Sequence, residues 1–302
     1  MLLFIEQILN GLQLGFMLFL LSSGLTLVFG VMNLINLAHG SFYMVGAYVA
    51  ATVMAASGSF LLALLVALAS AALCGFLVEV IVLRHLYQRD HLAQVLATFG
   101  LILLFNESTR MIWGRQPLFM QIPEFLSGSV EILPGVPYPF YRLVIIAVGI
   151  LVAIGLFLLI RHTRLGMQIR AGASNREMIA ALGVNIRWLY SLVFGLGAML
   201  AGFAGVMAAP VFAVESGMGE GILVLTFVVI VIGGIGSIKG ALLGALLVGL
   251  VDTLGRAFLP DLVFFLFETR GANSIAASIA SMGIYLLMIT ILAFKPRGLF
   301  PA

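Results

Sequence analysis

Long apolar segments separated by short polar ones dominate the chain. From Gln7 to Val78 the sequence contains no Asp, Glu, Lys or Arg, a run that holds about three membrane crossings at about 20 residues each. The hydropathy pattern predicts nine apolar segments, at residues 8–31, 34–56, 60–83, 92–113, 141–160, 188–209, 221–232, 241–259 and 271–294. We therefore predict an all-α polytopic membrane protein with about eight to ten transmembrane helices, some of them broken or re-entrant.

One polar cluster interrupts the first long apolar run. It consists of Asn33, Asn36, His39 and Ser41. One interpretation is a turn between the first two spans, with His39 at the membrane interface. The other is a broken helix that lines a substrate path, because irregular backbone is tolerated at membrane depth only against protein or a water-filled cavity. A metal site is not predicted, since no second cluster of ligand residues accompanies His39.

Composition supports the membrane class and argues against other classes. Of the 302 residues, 63% are hydrophobic and 9% are charged, whereas soluble domains contain about 25% charged residues. Cys74 is the sole cysteine, so a disulfide within one copy is excluded. The net charge of +3 does not predict nucleic-acid binding, because the basic residues lie at span ends, where membrane orientation explains them.

The distribution of basic residues predicts which span ends face the cytoplasm. Ten of the fifteen Lys and Arg residues lie in four segments, at residues 84–91, 161–187, 233–240 and 295–302. Because basic residues near span ends are retained inside, we expect all four segments, and with them the C-terminus, on the cytoplasmic side. Residues 161–187 then form a cytoplasmic loop between two spans.

That basic loop contains the signal for a short helix. Ser174 and Glu177 have the spacing of a capping box, in which each side chain satisfies a free backbone N–H at the helix start. Met178 and Ile179 supply apolar surface, and Gly183 is a natural helix end. Two interpretations remain open: a surface helix on the lipid headgroups, or a docking helix for a soluble partner.

The glycine cluster GGIGSIKG at residues 233–240 is not a phosphate-binding loop. Such a loop has glycine before its lysine and Ser or Thr after it, whereas Ile238 and Gly240 occupy those positions. The chain is therefore not expected to use ATP by itself or to be an enzyme. The cluster predicts a tight turn between two packed helices, with Gly236, Gly240 and Gly244 as a ladder of small residues.

Charges within or beside the apolar segments predict local ion pairs. Asp252 and Arg256 are four residues apart, and Glu107 and Arg110 are three apart, so each pair shares a helix face. We interpret them as interfacial pairs, with a polar rim that guides substrate as the alternative. Glu79 is expected to reach the cytoplasmic interface.

Four stretches resemble the permease subunits of bacterial ABC importers for branched-chain amino acids. They read GLTLVFGVMNLINLAHGSFYMVGAYVA (residues 24–50), TRLGMQIRA (163–171), VIGGIGSIKGALLGA (231–245) and KPRGLF (295–300). They occur in the family's order and are spread along the chain from residue 24 to residue 300. The INLAHG element at residues 35–40 is similar to the shorter of the two permeases that pair in these importers.

The basic loop also resembles the coupling motif of ABC permeases, which reads EAA, three residues, then Gly. Glu177 and Gly183 match the motif, whereas Met178 and Ile179 replace the two alanines, a departure that is usual in this branch. The resemblance implies an ATPase-docking helix formed by Ser174, Arg176, Glu177, Met178, Ile179 and Gly183.

The resemblance implies that residues 1–302 form a single permease domain in the bacterial cytoplasmic membrane. It would move branched-chain amino acids through the bilayer by alternating access, with no cofactor of its own. The implied partners are a longer permease, two cytoplasmic ATPases that bind ATP, and an extracytoplasmic binding protein. An importer for urea or short amides is an alternative on the same framework. A stand-alone secondary transporter is a further alternative. The scarcity of Asp and Glu within the membrane argues against it.

Overall fold

The computed structural model describes residues 2–133, 135–267 and 272–300. Over these residues the chain forms eleven α-helices and one β-hairpin. The helices are α1 Leu2–Met32, α2 His39–Ser57, α3 Phe60–Ile81, α4 His91–Trp113, α5 Phe140–His162, α6 Arg164–Ser174, α7 Arg176–Ala181, α8 Ile186–Ala208, α9 Met218–Gly233, α10 Ile238–Phe267 and α11 Ala272–Phe294. The strands are β1 Ser129–Leu133 and β2 Val136–Pro139.

The helices confirm the predicted membrane architecture. Among the described residues, seven helices are long and apolar enough to cross a membrane, namely α1 to α5, α8 and α10. Two shorter apolar helices, at Met218–Gly233 and Ser278–Phe294, coincide with the remaining predicted segments. The segment between α4 and α5, which lies outside the predicted apolar segments, contains the antiparallel pair β1–β2, in which Val130 lies opposite Tyr138.

The chain divides into two compact units, each built from discontinuous segments. One unit comprises Met1–Phe19, Glu124–Ile150 and Leu225–Ala302, and the other comprises Leu20–Pro123 and Leu151–Val224. We call the second the α2/α3/α8 unit, because these three helices pack on one another within it. The single permease domain inferred from the sequence stays a prediction.

Small residues hold α2 and α8 close together in the α2/α3/α8 unit. A Cβ atom added at Gly46 would lie 2.5 Å from the Cα of Gly202, and one added at Gly205 would overlap the Tyr43 carbonyl. Because these obstacles are backbone atoms, no side chain fits at the crossing. Beside the crossing, the Phe42 ring packs edge-on against Phe194 at 5.7 Å.

The glycine cluster between α9 and α10 forms the predicted tight turn. Gly236 adopts φ 84 in this turn, before α10 begins at Ile238. The prediction that Gly236 belongs to a ladder of small residues along a helix is therefore wrong. Gly240 and Gly244 do lie on α10 and pack against α9. Added Cβ atoms there would come within 2.6 Å of the Gly233 carbonyl carbon and the Val229 oxygen, respectively.

The closing KPRGLF segment attaches to the end of α9. The backbone N–H groups of Leu299 and Phe300 donate to the carbonyls of Ile232 and Gly233, both at 2.9 Å. Two predicted cytoplasmic segments therefore meet at one end of their unit, namely 233–240 and the described part of 295–302.

The predicted ion pairs are confirmed. Arg256 Nε lies 2.9 Å from Asp252 Oδ1, and Arg110 Nη1 lies 3.4 Å from Glu107 Oε1. The second pair is exposed, so it contributes little to stability.

Candidate functional site

The polar cluster after α1 forms a true helix break. α1 ends at Met32, and Asn33 follows with φ 51, a left-handed conformation that Asn tolerates better than most residues. The Asn33 N–H still donates to Phe29 O at 2.9 Å, so Asn33 ends the helix. The Asn33 side chain is exposed, so Asn33 ends the helix and does not line a cavity.

The chain then turns back along α1, and α2 begins far from the end of that helix. The buried His39 ring places Nε2 3.2 Å from the carbonyl of Leu21, eleven residues before the end of α1. Eleven helical residues span about 16 Å. The interpretation of His39 as an interface residue is therefore wrong, and the alternative of a broken helix describes the structure.

Two groups of the break remain without a protein partner. Asn36 is buried, and its Oδ1 accepts from the N–H of Ala38 at 3.0 Å. Among the described residues, neither Asn36 Nδ2 nor His39 Nδ1 has a hydrogen-bond partner. A buried amide or imidazole nitrogen without a partner carries a desolvation penalty, and such groups are uncommon.

The start of α2 packs directly against the start of α9. A Cβ added at Gly40 would lie 2.8 Å from the carbonyl carbon of Gly219, and one added at Gly219 would lie 2.6 Å from that of Gly40. Only glycine at both positions allows this approach. The first turns of two helices are thereby brought together inside the α2/α3/α8 unit.

A small, partly open cavity lies beside this contact. Both glycines line it, together with three polar side chains, those of Ser41, Asn106 and Glu220. The remaining lining is apolar and consists of Leu37, Met44, Ile102 and Leu223. Of the four residues predicted for a substrate path, Ser41 alone lines the cavity, while Asn36 and His39 are buried in the adjoining break.

Asn106 and Glu220 connect two walls of the cavity and were missed in the sequence. Asn106 Nδ2, in the C-terminal half of α4, donates to Glu220 Oε1 in the first turn of α9 at 2.5 Å. The signal was weak, since Asn106 is the first residue of the polar stretch 106–110 and Glu220 adjoins an apolar run. The predicted segment 221–232 began one residue after Glu220 and so left it outside the helix.

The basic loop forms two helices where one was predicted. Thr163 caps α6, its hydroxyl accepting from the N–H of Gly166 at 3.0 Å. Gly166 packs against the end of α5, where an added Cβ would lie 2.5 Å from the Ile160 carbonyl carbon. The Arg170 guanidinium donates to the Ile160 carbonyl, which fixes α6 to α5.

The predicted short helix is present as α7, but its cap differs from the prediction. Asn175 is the cap, with its Oδ1 accepting from the Met178 N–H at 3.0 Å. Ser174 is the last residue of α6, so the capping box of Ser174 and Glu177 is wrong. Asn caps helices as well as Ser does, and its position one residue later moves the capped N–H from Glu177 to Met178.

Gly183 ends α7 as predicted. It adopts φ 87, its N–H donates to Ala180 O at 3.0 Å, and the N–H of Val184 donates to Ile179 O at 3.3 Å. These two bonds are those of a Schellman motif, which requires a left-handed residue at this point.

α7 turns one apolar residue inward and leaves two outside. Ile179 is buried, whereas Met178 and Leu182 are 63% and 79% exposed. Because Met178 and Leu182 are four residues apart, they lie on one face of the short helical segment. Arg176 and Glu177 are exposed beside them. We call these four residues the α7 surface.

A buried polar network lies at the same end of the unit. The Glu79 side chain is fully buried, and Arg84 approaches it with Nη2 3.3 Å from Oε2. The Tyr87 hydroxyl donates to Glu79 Oε1 at 2.5 Å, and the Ser191 hydroxyl on α8 donates to Oε2. We call Glu79, Arg84, Tyr87 and Ser191 the Glu79 network. Glu79 thus reaches toward the 84–91 turn, and its position at the cytoplasmic interface stays a prediction.

Tyr87 is held in its protonated form. Burial, then the hydrogen bond to Glu79 and the negative charge of that carboxylate, raise the pKa of the Tyr87 hydroxyl well above its usual range. The hydroxyl therefore remains a donor to Glu79 at every physiological pH.

Two of the predicted cytoplasmic segments lie at the same end of the α2/α3/α8 unit. Glu79 and Ser191 join the 84–91 turn to the start of α8, next to the basic loop. At the other end, Trp113 Nε1 donates to Thr52 at 2.7 Å, and Arg110 Nε donates to Ser216 at 3.0 Å. Segments 84–91 and 161–187 thus lie at the same end of this unit.

Comparison with known proteins identifies related chains over nearly the full length. The family described as the permease component of the branched-chain amino acid transport system matches residues 7–292. The high-affinity branched-chain amino acid transport system permease protein BraD of Pseudomonas aeruginosa is 30% identical over 98% of this chain and 95% of its own length. LivH of Escherichia coli, with the same description, is 29% identical over 85% of this chain and 87% of its own.

A ribose import permease is a further relative. RbsC of Escherichia coli is 27% identical over 82% of this chain and 77% of its own length. No solved structure matches the chain.

Proposed function

The chain belongs to the family of permease components of branched-chain amino acid transport systems, and from this membership we propose how it works within an ABC importer. It is a multi-pass membrane permease, not an enzyme, and it carries branched-chain amino acids across the membrane. The observation that carries this function is the family match over residues 7–292, supported by BraD over 98% of the chain.

We propose that the importer contains a second, longer permease, two cytoplasmic ATPases and an extracytoplasmic binding protein. The permease has inward-open and outward-open packings, and ATP binding to the ATPases shifts the population between them. ATP is bound by these partners, because the lysine of the glycine cluster at 233–240 lacks the flanking residues of a P-loop.

The α7 surface is the proposed docking site for an ATPase. A six-residue helix is unstable alone in water, and here Asn175 and Gly183 fix its two ends. Exposed Met178 and Leu182 offer apolar area to a groove, while Ile179 anchors the helix to the permease. A helix that merely covered lipid headgroups would need no such ordered ends.

Helix α6 connects the docking helix to the helix bundle. α6 precedes α7 and lies against α8, where a Cβ added at Gly172 would be 3.4 Å from Leu189. Two residues further along α8, Ser191 joins the Glu79 network. We propose that these contacts transmit ATPase movement from the α7 surface to α3 and α8.

The named relatives favour branched-chain amino acids over urea or short amides, because BraD and LivH are both described as branched-chain amino acid permeases.

We propose the orientation in which the basic segments face the cytoplasm. Cysteines introduced at Ser174 and Ser127 in a Cys74-free background are expected to react with a membrane-impermeant maleimide from opposite sides. Both serines are exposed, and one lies in the basic loop while the other precedes the hairpin. Labelling is measured in sealed right-side-out and inverted vesicles. Reaction of both cysteines from the same side would contradict this orientation.

The transport function and the docking helix are tested together in proteoliposomes. We expect the wild-type chain, assembled with its permease, ATPase and binding-protein partners, to import leucine, isoleucine and valine but not urea. Gly183→Val should reduce this uptake. A β-branched residue at φ 87 costs about 1–2 kcal/mol, and an interface weakened by that amount binds roughly five- to thirtyfold less tightly.

Gly58→Val is the matched control for Gly183→Val. Gly58 is a left-handed glycine with φ 65, and neither glycine has another atom within 4 Å of an added Cβ, so the two substitutions are strained for the same reason. Gly58 lies between α2 and α3, at the end of the α2/α3/α8 unit opposite the 84–91 turn. The control should retain uptake and ATPase association. Equal losses in the two variants would show that α7 is a surface feature without a coupling role.

A further inference from the structure

Three exposed arginines come together where α5 ends and α6 begins. Arg161 is the second-last residue of α5, Arg164 is the first residue of α6, and the Arg170 guanidinium donates to the carbonyl of Ile160. Among the described residues, none of these three arginines forms a salt bridge with a carboxylate. We call Arg161, Arg164 and Arg170 the α5–α6 corner. We propose that this corner binds the phosphate of an anionic phospholipid.

The end of α5 accounts for only part of the positive charge. The C-terminal end of a helix carries about half a negative elementary charge, which favours nearby cations. Guanidinium groups are always protonated, so the three arginines leave about two and a half positive charges without a counterion from the protein. Such a cluster attracts an anion, and arginine binds phosphate through paired N–H donors.

An exposed apolar face of α5 leads directly to Arg161. Leu151, Ile154 and Leu158 are exposed, and they precede Arg161 at helical spacing on one face. Only 17% of the apolar part of this helix is buried within the chain, the lowest share among the seven membrane-length helices described. A cation that continues an apolar face at the end of a span lies at the level of the lipid headgroups. This position favours a lipid over an ATPase as the partner of the corner.

The side chains beside the arginines suit the boundary between headgroups and acyl chains. The Arg161 guanidinium lies over the Phe157 ring, 5.5 Å from its centroid, so it combines an apolar contact with a charged end. Arg164 and the exposed Met167 are three residues apart on one face of α6, whereas Ile169 is buried. An exposed face with both a cation and an apolar side chain is typical of helices that lie in the membrane interface.

The test measures lipid binding to the full chain in detergent by native mass spectrometry. Phosphatidylglycerol is the anionic probe, and phosphatidylcholine with the same acyl chains is the zwitterionic one. We expect wild type to prefer phosphatidylglycerol on the order of a hundredfold, because each arginine near an anionic surface contributes about fivefold. The double variant Arg161→Gln with Arg164→Gln should bind phosphatidylglycerol about thirtyfold more weakly for the same reason.

Arg89→Gln with Arg187→Gln is the matched control. It removes the same charge from two exposed arginines outside the corner, so its affinity for phosphatidylglycerol should equal that of wild type. Equal losses in the two double variants would show a general effect of positive charge and would overturn the site. Equal binding of the two lipids by wild type would overturn it as well.

Two further measurements separate a lipid site from a folding defect and from ATPase docking. Arg161→Lys with Arg164→Lys keeps the charge and should retain most of the binding, and the preference of wild type should fall as ammonium acetate is raised. A preference that does not depend on salt, or a lysine variant as weak as the glutamine variant, would overturn the site. If the glutamine variant bound lipid normally but lost the ATPase subunits, the corner would belong to the docking site and the lipid proposal would be wrong. The proposed transport function is unaffected by any of these lipid-binding results.

Discussion

Replacing Arg84 with alanine is expected to destabilise the protein by about 3–5 kcal/mol, the loss typical when one partner of a buried ion pair is removed. The reason is the complete burial of Glu79, whose side chain has no exposed area, whereas that of Arg84 is 31% exposed. Without Arg84, a carboxylate remains inside the protein with hydroxyl donors from Tyr87 and Ser191 but no cation.

The converse substitution should be milder. Glu79→Gln removes the buried charge, and the partly exposed Arg84 can turn toward solvent. We expect a loss of about 1.5–3 kcal/mol, the range for hydrogen bonds to charged groups. The double variant Glu79→Gln with Arg84→Ala should be more stable than Arg84→Ala alone, because no unpaired charge is left behind.

The measurement is the free energy of unfolding by SDS titration in bicelles. Arg89→Ala is the control, since Arg89 belongs to the same turn but is exposed. Surface changes of this kind alter stability by within about 0.5 kcal/mol. If Arg84→Ala and Arg89→Ala were equally stable, the Glu79 network would not be a stabilising element of this end of the unit.

Gly46→Val should prevent the close crossing of α2 and α8 and with it the accumulation of folded protein. An added Cβ at Gly46 would meet backbone atoms of Gly202, including Cα at 2.5 Å. Side chains can change rotamer to relieve overpacking, at a cost of about 1–3 kcal/mol, but a helix backbone can only move away. Separation of α2 from α8 would also loosen the contacts of Gly205 with Tyr43.

The matched control for this substitution is Gly100→Val. Gly100 also lies within a membrane-length helix, α4, but nothing lies within 4 Å of an added Cβ. Detergent extracts of both variants are compared by fluorescence-detected size exclusion. We expect a monodisperse peak for Gly100→Val and aggregated or absent protein for Gly46→Val. A normal peak for Gly46→Val would show that the two helices need not approach so closely.

The spans were predictable because apolar length is a local property of the chain. The same holds for the pairs Asp252–Arg256 and Glu107–Arg110, which need only helical spacing. The end of α7 at Gly183 was also predictable from local backbone chemistry.

Two local features were ambiguous in the sequence. The cap of α7 was assigned to Ser174 because both Ser174 and Asn175 suit a cap, and only the end of α6 decides between them. Gly236 has the spacing of a helix ladder, yet the turn uses it for its positive φ.

Contacts between residues distant in sequence were not predictable. Both interpretations of His39 stayed open because nothing in the sequence indicates that the chain turns back toward Leu21. The hydrogen bond between Asn106 and Glu220 likewise joins two helices that are far apart in the chain.

The contact between Gly40 and Gly219 has a consequence for how the protein is made. These glycines are so far apart in the chain that a ribosome adding about 5–20 residues per second needs on the order of ten seconds or more between them. During that interval the break around Asn36 and His39 is in the membrane without α9. We therefore expect residues 33–41 to be the last part of the N-terminal third to acquire native structure, and to depend on the membrane-insertion machinery until α9 arrives.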